Sequence, residues 1–430
     1  MHSKVVSNAT WIISCKIVQA IVGLIVSMLT ARYLGPSRFG IISYAASITA
    51  FFTPIMQIGL TNILVQEIID YPEEEGAIVG TATLMSFLSA IVCVIGVFSF
   101  LCIANRGERV TIIVCVLYSI SLIAQSVELI QYWFQAKYLS KFTAVCSLVA
   151  YIIVGIYQAI LLVKSQSIYF FSVTYTIQYT IIAIALLALY KHLDGPSLKV
   201  SRYTAKRMFN SGKHYIVSSL MVTIFAQTDR VMINMMLGNE ATGYYSAAVT
   251  CAGLSSFVFQ AIADSARPAI FESRKTSKKD FELNMSRLYA VVIYLSICQC
   301  LVMTILSKVI IFILYGSHYY PAVSALRIVV WYTTFSYLGI VRNIWILAEK
   351  KQKYLWVINL SGACANVGLN SFLIPLCGIN GAAIASLLTQ IFTNVVISYI
   401  IKPIRFNNKL MIRGLNIKLI SNMLLNYKKK

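Results

Sequence analysis

A short fingerprint occurs twice in this chain, once in each half. Residues 34–45 read LGPSRFGIISYA and residues 237–248 read LGNEATGYYSAA, so a leucine, two glycines, a serine and an alanine keep the same spacing. A second echo joins a tryptophan, an alanine and a lysine in the two halves: Trp133, Ala136 and Lys141; Trp345, Ala348 and Lys353. Both fingerprints border long apolar stretches. A chain built from two similar apolar halves is typical of a transporter whose site lies between the halves.

The apolar stretches place the chain in a membrane. Of its 430 residues, 58% are hydrophobic and 12% are charged, whereas a soluble domain is about half apolar and a quarter charged. One helical span needs about 20 mostly apolar residues. The alternation expected of barrel strands is weak, which argues against a transmembrane β-barrel. The sequence therefore predicts an all-α integral membrane protein.

We predict twelve transmembrane helices in two six-helix lobes. The predicted spans cover residues 11–33, 41–67, 78–104, 110–135, 142–163, 168–190, 213–237, 242–265, 285–314, 323–347, 354–376 and 380–402. The N-terminal lobe takes residues 1–190 and the C-terminal lobe 213–402. A cytoplasmic interlobe linker at 191–212, which carries a basic cluster, is the predicted hinge. A basic cytoplasmic tail follows at 403–430, either as an amphipathic helix on anionic lipid or as a disordered segment.

The positive charge sets the orientation of the chain. The formal net charge is +21, with 36 Lys and Arg residues against 15 Asp and Glu. Most of the basic residues outside the spans lie in the tail and in connections on the same side as both termini. Basic loops stay in the cytoplasm, so we expect both termini there. Orientation accounts for the excess charge better than nucleic-acid binding does, and we expect no nucleic-acid partner.

No catalytic pattern appears in the sequence. The ten cysteines are scattered, mostly inside apolar runs, and none has metal-ligand spacing. The four histidines are dispersed, and neither a Walker loop nor a nucleophile motif occurs. We therefore expect a transporter and not an enzyme, without a metal or cofactor. Coupling to H⁺ or Na⁺ stays open.

Seven basic residues lie inside predicted spans or close to their ends: Lys16, Arg32, Arg230, Arg267, Lys308, Arg327 and Arg342. A charge at the centre of a span costs roughly 2.5–3.5 kcal/mol on insertion scales, so it usually faces water or a partner. The residues near span ends have a simpler alternative, because long basic side chains reach the headgroups.

Three acidic and basic positions lie deeper. Asp229 and Arg230 are about two-thirds through the seventh span, and Glu128 shares a face of the fourth span with two glutamines. Either these groups form interhelical ion bridges, one candidate being Glu128 with Arg342, or they border a polar cavity. A guanidinium binds phosphate through two parallel hydrogen bonds. The predicted cavity residues are Arg230, Arg342, Asp229, Glu128, Arg32, Lys16 and Arg327.

Aromatic residues cluster near the predicted cytoplasmic ends of spans, at 132–134 and at Trp345 and Trp356. Amphipathic rings often mark the membrane interface, so interfacial anchoring is the expected role. Stacking on sugar rings is the alternative.

Two stretches resemble a known family. Residues 34–68 are similar to the opening of Wzx-type polysaccharide flippases, with Leu34, Gly35, Pro36, Phe39 and Gly40 at the matching positions. Phe134 and Gln135 match that family's segment after the fourth span. These flippases belong to the multidrug/oligosaccharidyl-lipid/polysaccharide exporter superfamily. Where the family often has an acidic residue before the second-span glycine, this chain has Gln57 and Ile58.

The resemblance implies a MATE-like fold, with two lobes around a central cavity that opens alternately to either side. It implies a flippase for an undecaprenyl-diphosphate-linked oligosaccharide, such as an O-antigen unit for lipopolysaccharide biosynthesis, in the bacterial inner membrane. The implied partners are this cargo, membrane lipids, a polysaccharide polymerase and a chain-length regulator. A cation-coupled exporter of small molecules with the same fold is the alternative. An integral-membrane glycosyltransferase or polymerase is disfavoured because the predicted periplasmic connections are short.

Overall fold

The computed structural model of this chain is almost entirely helical. It describes the backbone of residues 2–416 and of residue 419, and within those limits the side chains of Cys15 and of the residues from 17 onward. The side chain of the predicted cavity residue Lys16 and most of the tail after residue 416 therefore lie outside the described part.

The α-helices, numbered in chain order, are α1 (His2–Met56), α2 (Leu64–Asp70), α3 (Glu75–Ala104), α4 (Arg109–Ser119), α5 (Ser121–Gln125), α6 (Gln131–Ala136), α7 (Ser140–Val163), α8 (Ile168–Ser172), α9 (Thr174–His192), α10 (Arg202–Leu237), α11 (Asn239–Ala252), α12 (Ser256–Thr276), α13 (Lys278–Tyr315), α14 (Ala322–Ala348), α15 (Leu355–Ile391), α16 (Ile397–Ile400) and α17 (Arg405–Gly414). A five-residue 3₁₀ helix (Ser126–Ile130) joins α5 to α6, and a π-helix (Phe392–Val396) joins α15 to α16.

Ten helical stretches within the described residues are long and apolar enough to cross a membrane. This confirms a helical, multi-pass membrane protein. Two stretches, Ile17–Met56 and Gln352–Ile400, hold 40 and 49 residues, whereas about 20 residues cross the hydrocarbon core. Each bends at one glycine with non-helical backbone, Gly35 in the first and Gly378 in the second. Each of these stretches carries two of the predicted spans.

The first fingerprint marks a repeated joint in the backbone. Gly35 has φ 73° and ψ 171°, and its counterpart Gly238 has φ 85° and ψ −174°. This region of backbone space is open essentially to glycine alone. No heavy atom lies within 4 Å of a Cβ built at either position, so the conformation and not crowding requires glycine. The repeated glycine is therefore a structural joint between a helix that ends and one that begins.

The second echo marks a repeated helix ending. The amide of Leu139 donates to the carbonyl of Phe134 at 2.7 Å, and Lys351 donates to Ile346 at 2.9 Å in the other half. Between each pair lies a residue with positive φ, Tyr138 at 59° and Lys350 at 56°. This is the left-handed ending by which helices satisfy their last carbonyls. The two halves thus end equivalent helices with the same hydrogen bonds.

The predicted span over 41–67 is wrong at its C-terminal end, because α1 stops at Met56. Ile58 and Gly59 have φ of 52° and 69°, which breaks the helix. The reason is a close crossing with α10: a Cβ on Gly59 would overlap the carbonyl of Gly212. Two chain segments approach this closely only where both lack side chains.

The chain divides into two compact units, Met1–Met235 and Met236–Lys430. The first has a core that includes Leu64, Phe134 and Leu186, and the second has one that includes Phe281, Tyr289 and Trp345. Almost all of α10 belongs to the first unit. The predicted lobe boundaries at 190, 212 and 402 stay predictions.

The predicted linker packs on α3 within the first unit. The Lys199 amide donates to the carbonyl of Gly76 at 3.1 Å, and the Ser201 amide donates to the Thr81 hydroxyl at 3.0 Å. Cβ atoms on Gly76 and Gly80 would overlap linker carbonyls, so glycines on α3 make room for the linker backbone.

An ion cluster fastens the start of α10 to the same unit. Arg207 donates to Glu67 at 3.0 Å and to Glu74 at 2.9 Å, and its guanidinium lies 3.9 Å from the Tyr71 ring centre. Two carboxylates and one aromatic face satisfy this planar cation. The N-terminal end of α10 is therefore firmly attached to the segment 67–74.

The described part of the tail forms α17, which packs on protein. Its buried face carries Asn407 and Gly414, and the Tyr289 hydroxyl of α13 donates to the Asn407 side chain at 2.8 Å. A Cβ on Gly414 would overlap the Tyr289 side chain. This stretch is an amphipathic helix with one face buried on protein. Contact of the basic tail with anionic lipid, or its disorder, stays a prediction.

Trp133 and Trp345 are also placed differently from the expectation. Both are buried, with 4% and 1% of their surface exposed, so they are core residues and neither interfacial anchors nor sugar-stacking rings. Trp356, in contrast, is 58% exposed, as an interfacial anchor requires.

Candidate functional site

Helix α10 is unusual among the candidate spans because it is poorly apolar and yet poorly buried. Only α14 is less apolar. Half of the residues in the most apolar part of α14 are buried, whereas 11% are buried in the corresponding part of α10. The exposed surface of α10 is mixed, with polar positions at Ser211, Lys213, His214 and Ser218 among apolar ones such as Val217. Polar groups are expensive against acyl chains and usually face water or protein. The surface of α10 is therefore the best candidate for a polar transport surface.

A groove runs between α10 and the second half of α1, both in the first unit. It encloses about 450 Å³. Its polar walls come from Thr53 on α1, from Gln57 directly after the end of α1, and from Ser218, Thr223 and Gln227 on α10. These groups are uncharged, and each hydroxyl or amide offers both a donor and an acceptor. We call this feature the α1–α10 groove.

Arg230 stands next to the α1–α10 groove. Its Nη1 donates to Gln227 Oε1 at 2.9 Å, and the Ser47 hydroxyl donates to the same oxygen at 3.0 Å. Within the described residues Arg230 makes this one side-chain hydrogen bond and forms no ion pair. A guanidinium has five N–H donors, so most of those of Arg230 stay available. Among the predicted cavity arginines, Arg230 has the geometry that best suits an anion.

Asp229 neighbours Arg230 on α10 and is half-buried. The structure thus places Asp229, Arg230 and Gln227 together, as their spacing predicts. Their role in a cavity stays a prediction.

Glu128 lies elsewhere in the first unit, in the 3₁₀ helix between α5 and α6. The side chains of Tyr132 and Tyr179 lie in the surroundings of its carboxylate. No basic side chain of this unit lies within ion-pair distance, among the residues that the structure describes. Five residues make a long 3₁₀ run, and such runs often mark a functional hinge or local strain.

Arg342 lies in the second unit and is 5% exposed. Its Nη1 donates to the carbonyl of Thr393 at 2.7 Å and its Nη2 donates to Asn343 at 3.1 Å. Thr393 belongs to the π-helix, where the wider turn changes the backbone hydrogen-bond pattern. Arg342 therefore supports the π-helix, which leaves fewer of its donors for a cargo than Arg230 has. The bridge between Glu128 and Arg342 stays a prediction.

Two further predicted cavity residues, Arg32 and Arg327, lie on exposed surfaces. Arg32 is exposed on α1, and Arg327 is exposed on α14, where its Nε donates to the Ser307 hydroxyl at 2.8 Å. Long side chains at such positions reach the headgroup region. Among the described residues, no group of three His, Cys, Asp or Glu residues lies close enough to hold a metal ion.

Sequence reasoning missed the uncharged half of the α1–α10 groove. Thr53 comes from α1, Gln57 follows directly after it, and Ser218 and Thr223 come from α10. The search for intramembrane charges passes over hydroxyl and amide groups. The signal was present, because polar residues recur along α10 at intervals that place them on neighbouring faces.

Comparison with known proteins identifies the type of fold. A family model described as "Polysaccharide biosynthesis protein" matches residues 5–274. No curated protein matches this chain.

Solved structures match along nearly the whole chain. The structure titled "Lipid II flippase MurJ, inward closed conformation" has a TM-score of 0.73 at 15% identity, over 96% of this chain and 92% of that one. An inward-facing multidrug resistance MATE family transporter of the MOP superfamily has a TM-score of 0.68 at 10% identity, over 92% and 95%. A MOP superfamily transporter from Pyrococcus furiosus has 0.58 at 11% identity, over 96% of each chain. At these identities the likeness shows the fold alone.

Proposed function

Because the chain belongs to the polysaccharide biosynthesis protein family, we propose that it is a flippase for a lipid-linked oligosaccharide. The cargo is an undecaprenyl-diphosphate-linked repeat unit, such as an O-antigen unit, moved from the inner to the outer leaflet of the bacterial inner membrane by alternating access. The family assignment confirms the resemblance of residues 34–68. The fold shared with a structure titled as a lipid II flippase supports the same class of cargo.

The exposed polar surface of α10 is the observation that carries this proposal. A cargo with a diphosphate and sugars needs a wet path for its head group, whereas its lipid tail stays in the bilayer. The α1–α10 groove supplies hydroxyls and amides for neutral sugar groups. Arg230 beside it supplies a cation with free donors for the diphosphate. We infer that α10 lines the path of the head group.

The finer architecture is also a proposal. Counting the two stretches that bend at Gly35 and Gly378 as two spans each turns the ten candidate stretches into twelve. Twelve spans keep both termini on one side, and the distribution of Lys and Arg favours the cytoplasm for that side. Transport without a resident cofactor or catalytic step, and association with a polymerase and a chain-length regulator, belong to the same proposal.

A cation-coupled exporter of small molecules is the alternative with the same fold. A cavity for organic cations should be rich in carboxylates and poor in arginine. The α1–α10 groove is instead lined by uncharged groups with Arg230 beside it. This favours an anionic, sugar-bearing cargo.

Deletion of the gene tests the proposal. The lipid-linked repeat unit should then accumulate on the inner leaflet while surface glycan is lost. Mass spectrometry of extracted lipids and labelling of surface glycan measure the two effects. Loss of surface glycan without accumulation of the lipid-linked intermediate would contradict a flippase.

Arg230→Ala tests the site. We expect surface glycan to fall about 10- to 100-fold, because hydrogen bonds to a charged group contribute about 1.5–3 kcal/mol. Arg230→Lys should restore activity only in part, since an ammonium lacks the planar fork. Arg38→Ala, at an exposed position of α1, is the matched control. Normal glycan display by Arg230→Ala protein at wild-type abundance would refute the role of Arg230.

A further inference from the structure

A second cavity lies inside the first unit, apart from the α1–α10 groove. It encloses about 300 Å³ between α1, α4, α7, α8 and α9. Small-molecule sites begin at about this volume and combine apolar or aromatic walls with a few polar groups. We call it the inner cavity.

The polar walls of the inner cavity are all uncharged. They include Ser27 and Thr30 of α1, Gln158 of α7, and Tyr175 and Gln178 of α9. Hydroxyls and amides both donate and accept hydrogen bonds. Tyr175 and Tyr118 are packed with ring centres 4.7 Å apart. Aromatic faces with amides and hydroxyls suit a neutral ligand that has a C–H face and several hydroxyl groups.

Thr30 indicates that this wall is built to meet a ligand. The residue is 5% exposed, and its hydroxyl has no hydrogen-bond partner among the described residues. A buried polar group without a partner costs about 1–3 kcal/mol and requires an explanation. Because Thr30 lines the inner cavity, a bound molecule can supply the partner.

Two glycines give the inner cavity its room. A Cβ on Gly23 would stand 3.5 Å from the Tyr151 ring, and one on Gly155 would stand 3.6 Å from Val22. These are ordinary contact distances, so helix packing alone would accept alanine at both positions. Glycine there enlarges the cavity without being needed for a close crossing.

We propose that the inner cavity binds one uncharged, polyhydroxylated ring, namely a sugar residue of the cargo. This inference rests on the proposed function and adds to it a sugar subsite within the first unit. An acyl chain fits the chemistry less well, because it would leave the Thr30 hydroxyl and the Gln158 amide without partners. The alternative is that the inner cavity holds only water, which would also satisfy the polar groups. A cavity that holds only water would not contribute to the binding of an oligosaccharide.

Thr30→Val tests this proposal with little change of shape. Purified full-length protein in detergent is titrated with two probes: the oligosaccharide released by mild acid from the cells' own lipid-linked intermediate, and undecaprenyl diphosphate without sugar. We expect oligosaccharide binding to weaken about 10-fold and undecaprenyl diphosphate binding to stay unchanged. Thermal stability should stay equal or rise, because the protein loses an unpartnered hydroxyl.

Thr49→Val is the matched control, since the Thr49 hydroxyl is also buried and unpartnered within the described residues but lies outside the inner cavity. Gln158→Leu, with Gln166→Leu as its control, gives a second pair. Equal oligosaccharide binding by Thr30→Val, Gln158→Leu and wild-type protein would overturn the subsite. So would loss of both probes together, or wild-type protein that binds only undecaprenyl diphosphate. Failure of wild-type protein to bind undecaprenyl diphosphate would instead count against the flippase proposal.

Discussion

The two copies of the second echo share a backbone and differ in their charges. Both end a helix with the same hydrogen bonds around a residue of positive φ, Tyr138 in the first half and Lys350 in the second. Both bury a tryptophan one turn earlier. The surroundings of these two tryptophans then diverge, which separates what the repeated backbone requires from what each half has acquired.

In the first unit, Trp133 belongs to a closed polar cluster. Its indole N–H donates to Glu75 at 3.0 Å, and Glu75 also pairs with Lys137. In the second unit, the indole N–H of Trp345 has no hydrogen-bond partner among the described residues. The ammonium of Lys351 instead lies 4.5 Å from the Trp345 ring centre. The equivalent of Lys137 is Glu349, which pairs with Arg274 at 2.6 Å.

The comparison shows which features of the second echo belong to the fold and which do not. The turn and the buried indole occur in both halves. The charge four residues after the tryptophan reverses its sign, from Lys137 in the first half to Glu349 in the second. Surface ion pairs contribute about 0–1 kcal/mol, so their exchange costs the fold little. The buried Trp133–Glu75 bond should matter more, because a buried carboxylate needs its partners.

Replacing the glycine of the first fingerprint by alanine should have the largest effect. Gly35→Ala and Gly238→Ala should each lower the free energy of unfolding by about 1–3 kcal/mol, because only glycine adopts this backbone region without strain. Gly253→Ala, at a negative φ with open space around it, should be neutral or slightly stabilising. Thermal unfolding of purified protein, followed by dye reaction with buried thiols such as Cys115, measures all three. Unequal losses at Gly35 and Gly238 would break the equivalence of the two joints.

Replacing each buried tryptophan, Trp133 or Trp345, by phenylalanine should destabilise the protein to different degrees. Both variants lose similar volume, but only Trp133→Phe removes a hydrogen bond and leaves Glu75 with one donor fewer. We expect Trp133→Phe to be the more destabilising by about 1–3 kcal/mol. The same unfolding measurement decides this, with Glu75→Gln in the Trp133→Phe background as the control. Equal losses would mean that the Glu75 bond adds nothing.

The class of fold and much of the helix order could be predicted from the sequence. Twenty-residue apolar runs are strong signals, and the fingerprints marked real backbone joints at Gly35 and Gly238. The end of α1 was not predictable in the same way, because it depends on the crossing of Gly59 with Gly212, which are distant in sequence. Hydropathy reports the local environment and not such long-range contacts.

The candidate site was predictable only in its charges. An arginine in an apolar run is conspicuous, so Arg230 and Arg342 were found. Their different surroundings were not, because the π-helix carbonyl that binds Arg342 arises from backbone geometry. Uncharged groups such as Thr30 and Thr53 look like ordinary helix residues until the fold brings them to a cavity wall.

The smallest expected effect sharpens the shared part of the comparison. Tyr138→Gly and Lys350→Gly should each raise the free energy of unfolding by up to about 1 kcal/mol, since glycine removes the left-handed strain of roughly 1–2 kcal/mol and adds a smaller entropic cost. Both side chains are exposed, so little packing is lost. Lys164→Gly, at a helix end with φ −82°, is the matched control and should be destabilising. A gain in one half and a loss in the other would show that the two turns, although alike in hydrogen bonds, are held by different contacts.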